Sequence, residues 1–129
     1  MRILADISIG DWVDRLTILE IKLVEIGERD KLDNIRREYE TLLAAAPDGL
    51  LADADVAELR ERLKAVNREL WVIEDEIRIK ERVRAFDEDF IALARRVYVT
   101  NDRRAEIKRE INRIAHSDLV EEKSYAKYG

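Results

Sequence analysis

DVAELRERLKAVNRELWVIEDEIRIK, residues 55–80, carries the most regular hydrophobic pattern of the chain. Apolar side chains recur in it at alternating spacings of three and four residues, which places them on one face of a long helix. The pattern is sustained over three heptads, and we therefore predict a helix that packs this seam against a second helix. The seam consists of Val56, Leu59, Leu63, Val66, Leu70, Ile73 and Ile77.

A second long helix is predicted directly after the first one. Asp87 is suited to cap its amino terminus, and an apolar stripe resumes a few residues later. Because the connection near residue 86 is very short, the two helices should form an antiparallel, coiled-coil-like hairpin of residues 55–84 and 87–116. The stripe of the second helix consists of Phe90, Leu93, Ala94, Val97, Ile107, Ile111 and Ile114.

The amino-terminal part of the chain predicts a shorter helical hairpin over residues 1–46. Ser8 is the expected N-cap of its first helix, and that helix is apolar on several faces, as in a central helix or one at a subunit interface. Pro47 and Gly49 mark a loop over residues 47–54, and residues 117–129 form a tail. The chain is therefore predicted to be all-α, a four-helix bundle of two antiparallel hairpins in one domain, 1–129.

The composition excludes several classes of protein. The 129 residues include no cysteine, so disulfides and thiolate sites are absent. No apolar run approaches the roughly 20 residues that span a membrane, and we predict a cytoplasmic protein without a membrane partner. The net charge of −5 argues against nucleic acid as a partner. A bundle of this size exposes much of its seam, which predicts a homodimer.

One stretch departs from the helical pattern, RRVYVTNDRRAE at residues 95–106. It contains a run of mediocre helix formers, and it places Thr100 and Asn101 where the apolar stripe should continue. If the hairpin turns near residue 86, this stretch lies beside residues 69–73 of the preceding helix. The juxtaposition predicts a candidate ligand-binding cluster of Trp71, Glu74, Asp75, Tyr98, Asn101, Arg103 and Arg104.

Two interpretations of this polar cluster remain open. In the first, it is an interhelical pocket in which Arg103 or Arg104 meets an anionic group and Trp71 or Tyr98 stacks on a ring. In the second, it is a polar layer that fixes helix register, as a buried Asn does in coiled coils. The sequence also leaves open whether the helix continues through Thr100 and Asn101.

Catalytic and metal-binding motifs are not evident. Pairs of acidic residues three apart are as frequent as 29 acids in 129 residues produce by chance, so no metal site and no cofactor is predicted. His116 is the only histidine, and a position in the last turn of a helix suits it as a cap or surface residue. No catalytic residue is predicted, and the sequence does not decide whether the chain is an enzyme.

Four blocks of the sequence, residues 7–23, 31–40, 67–112 and 121–128, together resemble a known family. It is a small family of uncharacterised bacterial and phage proteins, catalogued only as a domain of unknown function. The similarity spans nearly the whole chain and is most specific in LTILEIK, LW-IED-IR-KE and Y-TNDRR---K-EIN. Members of this family occur alone, and some are attached to, or encoded beside, glycosyltransferase-type proteins. The resemblance therefore implies a link to surface-glycan metabolism by association, and it supplies no catalytic residues.

Two hypotheses about function follow from the sequence. In the first, the chain is a self-associating interaction or accessory module, which the strict seam and the absent catalytic motif favour. It would act with a second copy or with another protein partner. In the second, the chain is an enzyme or binder for an anionic small molecule such as a sugar nucleotide, which the polar cluster favours.

Overall fold

The computed structural model describes residues 1–129, and it confirms the prediction of an all-α protein with four helices. These are α1 (Ile9–Glu25), α2 (Arg29–Ala44), α3 (Ala54–Arg82) and α4 (Glu88–Ile114). Helix α4 runs without interruption through Thr100 and Asn101. None of the four combines the length and the apolar character that crossing a lipid bilayer requires.

Helices α1, α3 and α4 begin at side-chain caps that satisfy their first backbone N–H groups, whereas Glu28 before α2 makes no such hydrogen bond. The Oγ of Ser8 accepts a hydrogen bond from the backbone N of Asp11 at 3.0 Å. The side chain of Asp87 accepts one from the backbone N of Phe90 at 3.0 Å, as expected of a cap. Helix α3 starts one residue before the predicted position 55, because Asp53 caps it and accepts from two backbone N–H groups.

Helix α1 lies at the centre of the bundle. It packs against α3 and α4 on one side and against α2 on another, whereas the backbone of α2 lies close to that of α1 only. This arrangement accounts for the apolar faces of α1 that contain Trp12, Leu16 and Ile21, which are buried, whereas Val24 near its end is exposed. The main core cluster joins three helices through Trp12, Val13, Leu16, Leu59, Leu63, Val66, Ile107 and Ile111.

Helices α3 and α4 form the long antiparallel hairpin, and the predicted seam of α3 faces the interior. Its residues from Val56 to Ile73 are buried, whereas Ile77 is half-buried. On α4, Leu93, Ile107 and Ile111 are buried, and Thr100 is buried between them. The interior of the hairpin thus includes polar positions, Thr100 at the stretch where the apolar stripe was interrupted, and also Asn67 and Asn112.

The close approach of α1 to α4 depends on a glycine. The backbone N of Gly10 donates to Oδ1 of Asn112 at 2.6 Å. A Cβ at Gly10 would lie 2.4 Å from the backbone O of Lys108, a contact that real structures do not show. Because that oxygen belongs to a helix backbone, it cannot rotate away as a side chain does, and α1 must shift instead.

We predict that Gly10→Ala lowers the free energy of unfolding by about 2 kcal/mol, because the added methyl group separates α1 from α4. Gly27→Ala is the matched control, since nothing lies within 4 Å of a Cβ at Gly27. It should leave stability unchanged or raise it by up to about 1 kcal/mol. Urea denaturation followed by circular dichroism measures both, and equal stabilities would contradict the close contact.

Candidate functional site

A buried carboxylate lies at the centre of the polar stretch. Asp14 of α1 has an exposed side-chain fraction of only 2%. The guanidinium of Arg104 donates from Nε to Oδ1 at 3.0 Å and from Nη2 to Oδ2. The Nδ2 of Asn67 donates to the same Oδ1 at 2.8 Å. Three helices therefore meet at one carboxylate, which is neutralised and hydrogen-bonded as burial requires.

Further polar groups complete this network. Oγ1 of Thr17 donates to the backbone O of Asp14 at 2.8 Å and accepts from Nδ2 of Asn67 at 2.9 Å. Nζ of Lys108 lies 4.0 Å from Oδ2 of Asp14 and 3.4 Å from Asp11. We refer to Asp14, Thr17, Asn67, Arg104 and Lys108 as the Asp14 network.

The electrostatics of the network keep its cation charged. Hydrogen bonding to Asp14 raises the pKa of the Arg104 guanidinium above its ordinary value, although burial acts in the opposite direction. The side chain of Asn101 approaches Nη1 of Arg104 at 3.5 Å. The polar residues of α4 thus supply the counter-charge for α1, which is a role in positioning helices.

We predict that Arg104→Ala lowers the free energy of unfolding by about 3 kcal/mol, because it leaves the carboxylate of Asp14 buried without its main partner. Arg103→Ala is the matched control, since Arg103 pairs with Glu69 where both side chains are about half exposed. It should cost less than about 1 kcal/mol. Thermal and urea unfolding compare the two, and a stable Arg104→Ala variant would argue against a structural role.

The structure brings four of the seven predicted site residues together. Trp71 and Glu74 of α3 and Asn101 and Arg104 of α4 line one cleft of about 270 Å³ beside α1. Its remaining lining residues are Ile18, Ile21, Asn67 and Leu70. The cleft therefore has an indole and apolar side chains next to a guanidinium that is already bound to Asp14. We refer to it as the Trp71 cleft.

The other three predicted residues lie elsewhere, because their positions along the helices direct them away from α1. Asp75 is exposed and lines no part of the Trp71 cleft. Arg103 points to the opposite side of the hairpin, where it binds Glu69 at 2.9 Å. Tyr98 packs against Tyr128 of the tail, with ring centroids 5.0 Å apart.

The tail beyond α4 runs back along that helix and is held at three places. The Oγ of Ser117 accepts from the backbone N of Ile9, and Glu121 accepts from Ser8 and pairs with Lys108. Near the carboxyl terminus, the hydroxyl of Tyr128 donates to Asp102 at 2.5 Å. An open cleft of about 980 Å³ lies between tail and helix.

A second polar cluster joins α1, α2 and α3 around Glu20. Burial disfavours the charged form of Glu20, but hydrogen bonds from Tyr39, Lys64 and Arg60 outweigh burial and lower its pKa below the ordinary value. The hydroxyl of Tyr39 donates to Glu20 at 2.7 Å. This cluster fixes α2 on α1, and the sequence analysis did not identify it.

The inward-facing residues of α1 that the sequence analysis did not identify follow a helical spacing in the sequence. Gly10, Asp14, Thr17 and Ile21 follow one another at spacings of four, three and four, so they lie on one helix face. All four are buried. A glycine, an acid and a hydroxyl on the interior face of a central helix indicate a close helix contact with a buried counter-charge.

One long face of the α3–α4 hairpin is not covered by another part of the chain. Two grooves of about 560 and 530 Å³ follow this face, and no residue of α1 or α2 lines either of them. We call it the open face. It consists of Arg62, Ala65, Glu69, Val72, Glu76 and Ile79 on α3, of Val83 directly after α3, and of Asp89, Ala92, Arg96, Val99, Arg103, Glu106 and Glu110 on α4.

Apolar side chains recur along the open face at heptad spacing. Ala65, Val72 and Ile79 are seven residues apart on α3, and Ala92 and Val99 are seven apart on α4. The larger ones are substantially exposed, with fractions of 48% for Val72, 52% for Ile79 and 42% for Val99. The hairpin therefore has a second apolar stripe, and this one faces solvent.

Comparison with protein-family models matches residues 3–128 to a family model. The chain belongs to DUF6165, a family of unknown function. This confirms the resemblance to a domain of unknown function that the sequence motifs indicated. All four helices lie inside the DUF6165 match, and so do the Asp14 network, the Trp71 cleft and the open face. No curated protein and no solved structure matches the chain.

Proposed function

We propose that this DUF6165 protein is a self-associating interaction module whose open face pairs with the open face of a second copy. The observation that carries the proposal is the exposed heptad stripe of Val72, Ile79 and Val99 on a long two-helix surface. Contiguous exposed apolar surface rimmed by charge is typical of protein–protein interaction sites. Residues at heptad spacing are the kind that interdigitate between packed helices.

The shape and composition of the open face support pairing between helices. Its grooves run between α3 and α4, and side-chain ridges of another helix pack into grooves of this kind. Large residues alternate with the small residues Ala65 and Ala92, so that neighbouring layers can interlock. A pair of hairpins joined this way would form two packed layers of two helices each, with an α1–α2 unit on the outer side of each layer.

We further propose that the module works in the cytoplasm as an accessory protein of surface-glycan metabolism. The glycan link rests on the family resemblance, since relatives of this kind are associated with glycosyltransferase-type proteins. An interaction module suits a role in assembling or positioning such a partner.

The proposal predicts that the wild-type chain sediments at twice its mass of 15.1 kDa. In Val72→Asp/Ile79→Asp, two buried charges per copy should weaken dimerisation by at least about 100-fold. Circular dichroism should show unchanged helix content, because both side chains are about half exposed in one copy. Analytical ultracentrifugation over a concentration series measures the dissociation constant.

Ile91→Asp is the matched control for this experiment. Ile91 is an apolar residue of α4 with an exposed fraction of 56%, and it lies outside the open face. Its substitution should leave the dimer affinity unchanged. A monomeric wild type, or equal losses of affinity at the two sites, would contradict self-association through the open face.

The Trp71 cleft supports a second candidate function, the binding of an anionic small molecule such as a sugar nucleotide. The specific observation is that an indole, an amide and a guanidinium converge on one concave site next to apolar side chains. Trp71 would stack on a ring, while Asn101 and the edge of Arg104 would bind an anionic group.

For this second candidate, we expect UDP-glucose in excess to raise the melting temperature of the wild type but not of Trp71→Ala. At 100 times its dissociation constant, a ligand stabilises a protein by about 2.7 kcal/mol. Phe86→Ala is the control, because Phe86 is an exposed aromatic residue distant from the cleft. A thermal-shift series with UDP-glucose, UMP and ATP tests this, and a wild type that responds to none of them would rule out the candidate.

A further inference from the structure

We propose that the two open faces pair in parallel, so that α3 of each copy lies over the partner's α4 and both hairpin tips point the same way. This inference rests on the proposed self-association and specifies its geometry. It comes from the order of charges along the open face, which is not symmetrical between the two helices.

Charged residues on the open face occur in opposite-sign pairs at matching levels of the hairpin. Glu69 of α3 bonds to Arg103 of α4 at 2.9 Å. One heptad nearer the tip, Glu76 and Arg96 together line the groove of about 530 Å³. One heptad further from the tip, Arg62 and Glu110 together line the groove of about 560 Å³. The middle of the face is therefore acidic along α3 and basic along α4.

A two-fold axis can relate two such faces in two ways. If it runs along the hairpin, each residue of α3 lies over the residue of α4 at its own level in the partner. Glu69 then meets the partner's Arg103, and Glu76 meets the partner's Arg96. Every opposite-sign pair within one copy is repeated between the copies.

The other two-fold axis runs across the hairpin and places α3 over the partner's α3 in the antiparallel direction. With this axis at the middle of the face, at the level of Val72 and Val99, Glu69 would meet the partner's Glu76, and Arg96 would meet the partner's Arg103. Juxtaposed like charges disfavour an interface. Charge complementarity therefore favours the parallel arrangement over the antiparallel one that is centred at this level.

The apolar stripe is compatible with the parallel arrangement. At the same levels, Val72 lies over the partner's Val99, and Ile79 lies over the partner's Ala92. A large side chain facing a small one lets two helix pairs approach closely. The parallel arrangement also brings the exposed Phe86 of each copy to the same end of the dimer, where the two rings extend the apolar surface of the tips.

Charge reversal at one position distinguishes the two arrangements. Glu76→Arg should weaken dimerisation about tenfold in the parallel dimer, because Arg then faces the partner's Arg96. In the antiparallel dimer it would face the partner's Glu69 and strengthen association. The double variant Glu76→Arg/Arg96→Glu should restore affinity in the parallel dimer. Analytical ultracentrifugation measures the dissociation constants of the wild type and both variants. Tighter dimerisation of Glu76→Arg than of the wild type would overturn the proposal.

Distances between spin labels provide an independent measurement on the full-length chain. It contains no cysteine, so Glu88→Cys near the tip or Glu58→Cys at the other end of the hairpin gives one label per copy. In the parallel dimer, both variants should give distances of about 20 Å, set by the width of the packed helices. In the antiparallel dimer, both distances would be about 35 Å or more, from a rise of 1.5 Å per residue.

Pulsed electron–electron double resonance measures these distances. It separates failure of this inference from failure of the proposed function. Two long distances would overturn the parallel arrangement while leaving self-association intact. If neither label shows any defined distance and the wild type sediments as a monomer, self-association itself is refuted. Two short distances, with weakening by Glu76→Arg, support the parallel dimer.

Discussion

The carboxylate of Asp14 has to be hydrogen-bonded in the interior of this protein, because α1 packs between the other helices with that residue facing inward. An unpaired buried charge costs several kcal/mol, so the surrounding helices must bring donors to it. Asn67 of α3 supplies one hydrogen-bond donor, and Arg104 of α4 supplies two. A shift of any of the three helices by one residue would break these bonds. The network therefore fixes their register more sharply than apolar packing alone.

The same requirement explains the interruption of the stripe in α4. Thr100 is buried beside the network, and Arg104 reaches Asp14 one turn further along. The helix stays continuous through mediocre helix formers because tertiary packing outweighs their intrinsic preference. Of the two interpretations that the sequence left open, the geometry of Arg104 favours the polar layer. The Trp71 cleft lies next to this layer, and binding of an anionic small molecule there remains a proposal.

Periodic patterns in the sequence were sufficient to predict four helices, the long hairpin and the buried face of α3, since each depends on residues close together along the chain. The Asp14 network was not predicted, because Asp14 and Arg104 are 90 residues apart and meet only once α1 is placed. Asp75, Tyr98 and Arg103 were grouped with the cluster on spacing alone. Their direction depends on the rotation of each helix, and a shift of one residue turns a side chain by about 100°.

The α3–α4 hairpin has two long faces, and their compositions differ because they meet different requirements. The face against α1 contains a buried ionic network, which admits one position of α1 and excludes others. The open face alternates small and medium-sized apolar residues with exposed charges, and reversible protein–protein contacts have mixed compositions of this kind. Because the Trp71 cleft lies on the first face and the open face on the second, ligand binding and self-association would not compete for the same surface. A variant such as Val72→Asp therefore reports on self-association without altering the lining of the cleft, and each proposal can be tested while the other site is left intact.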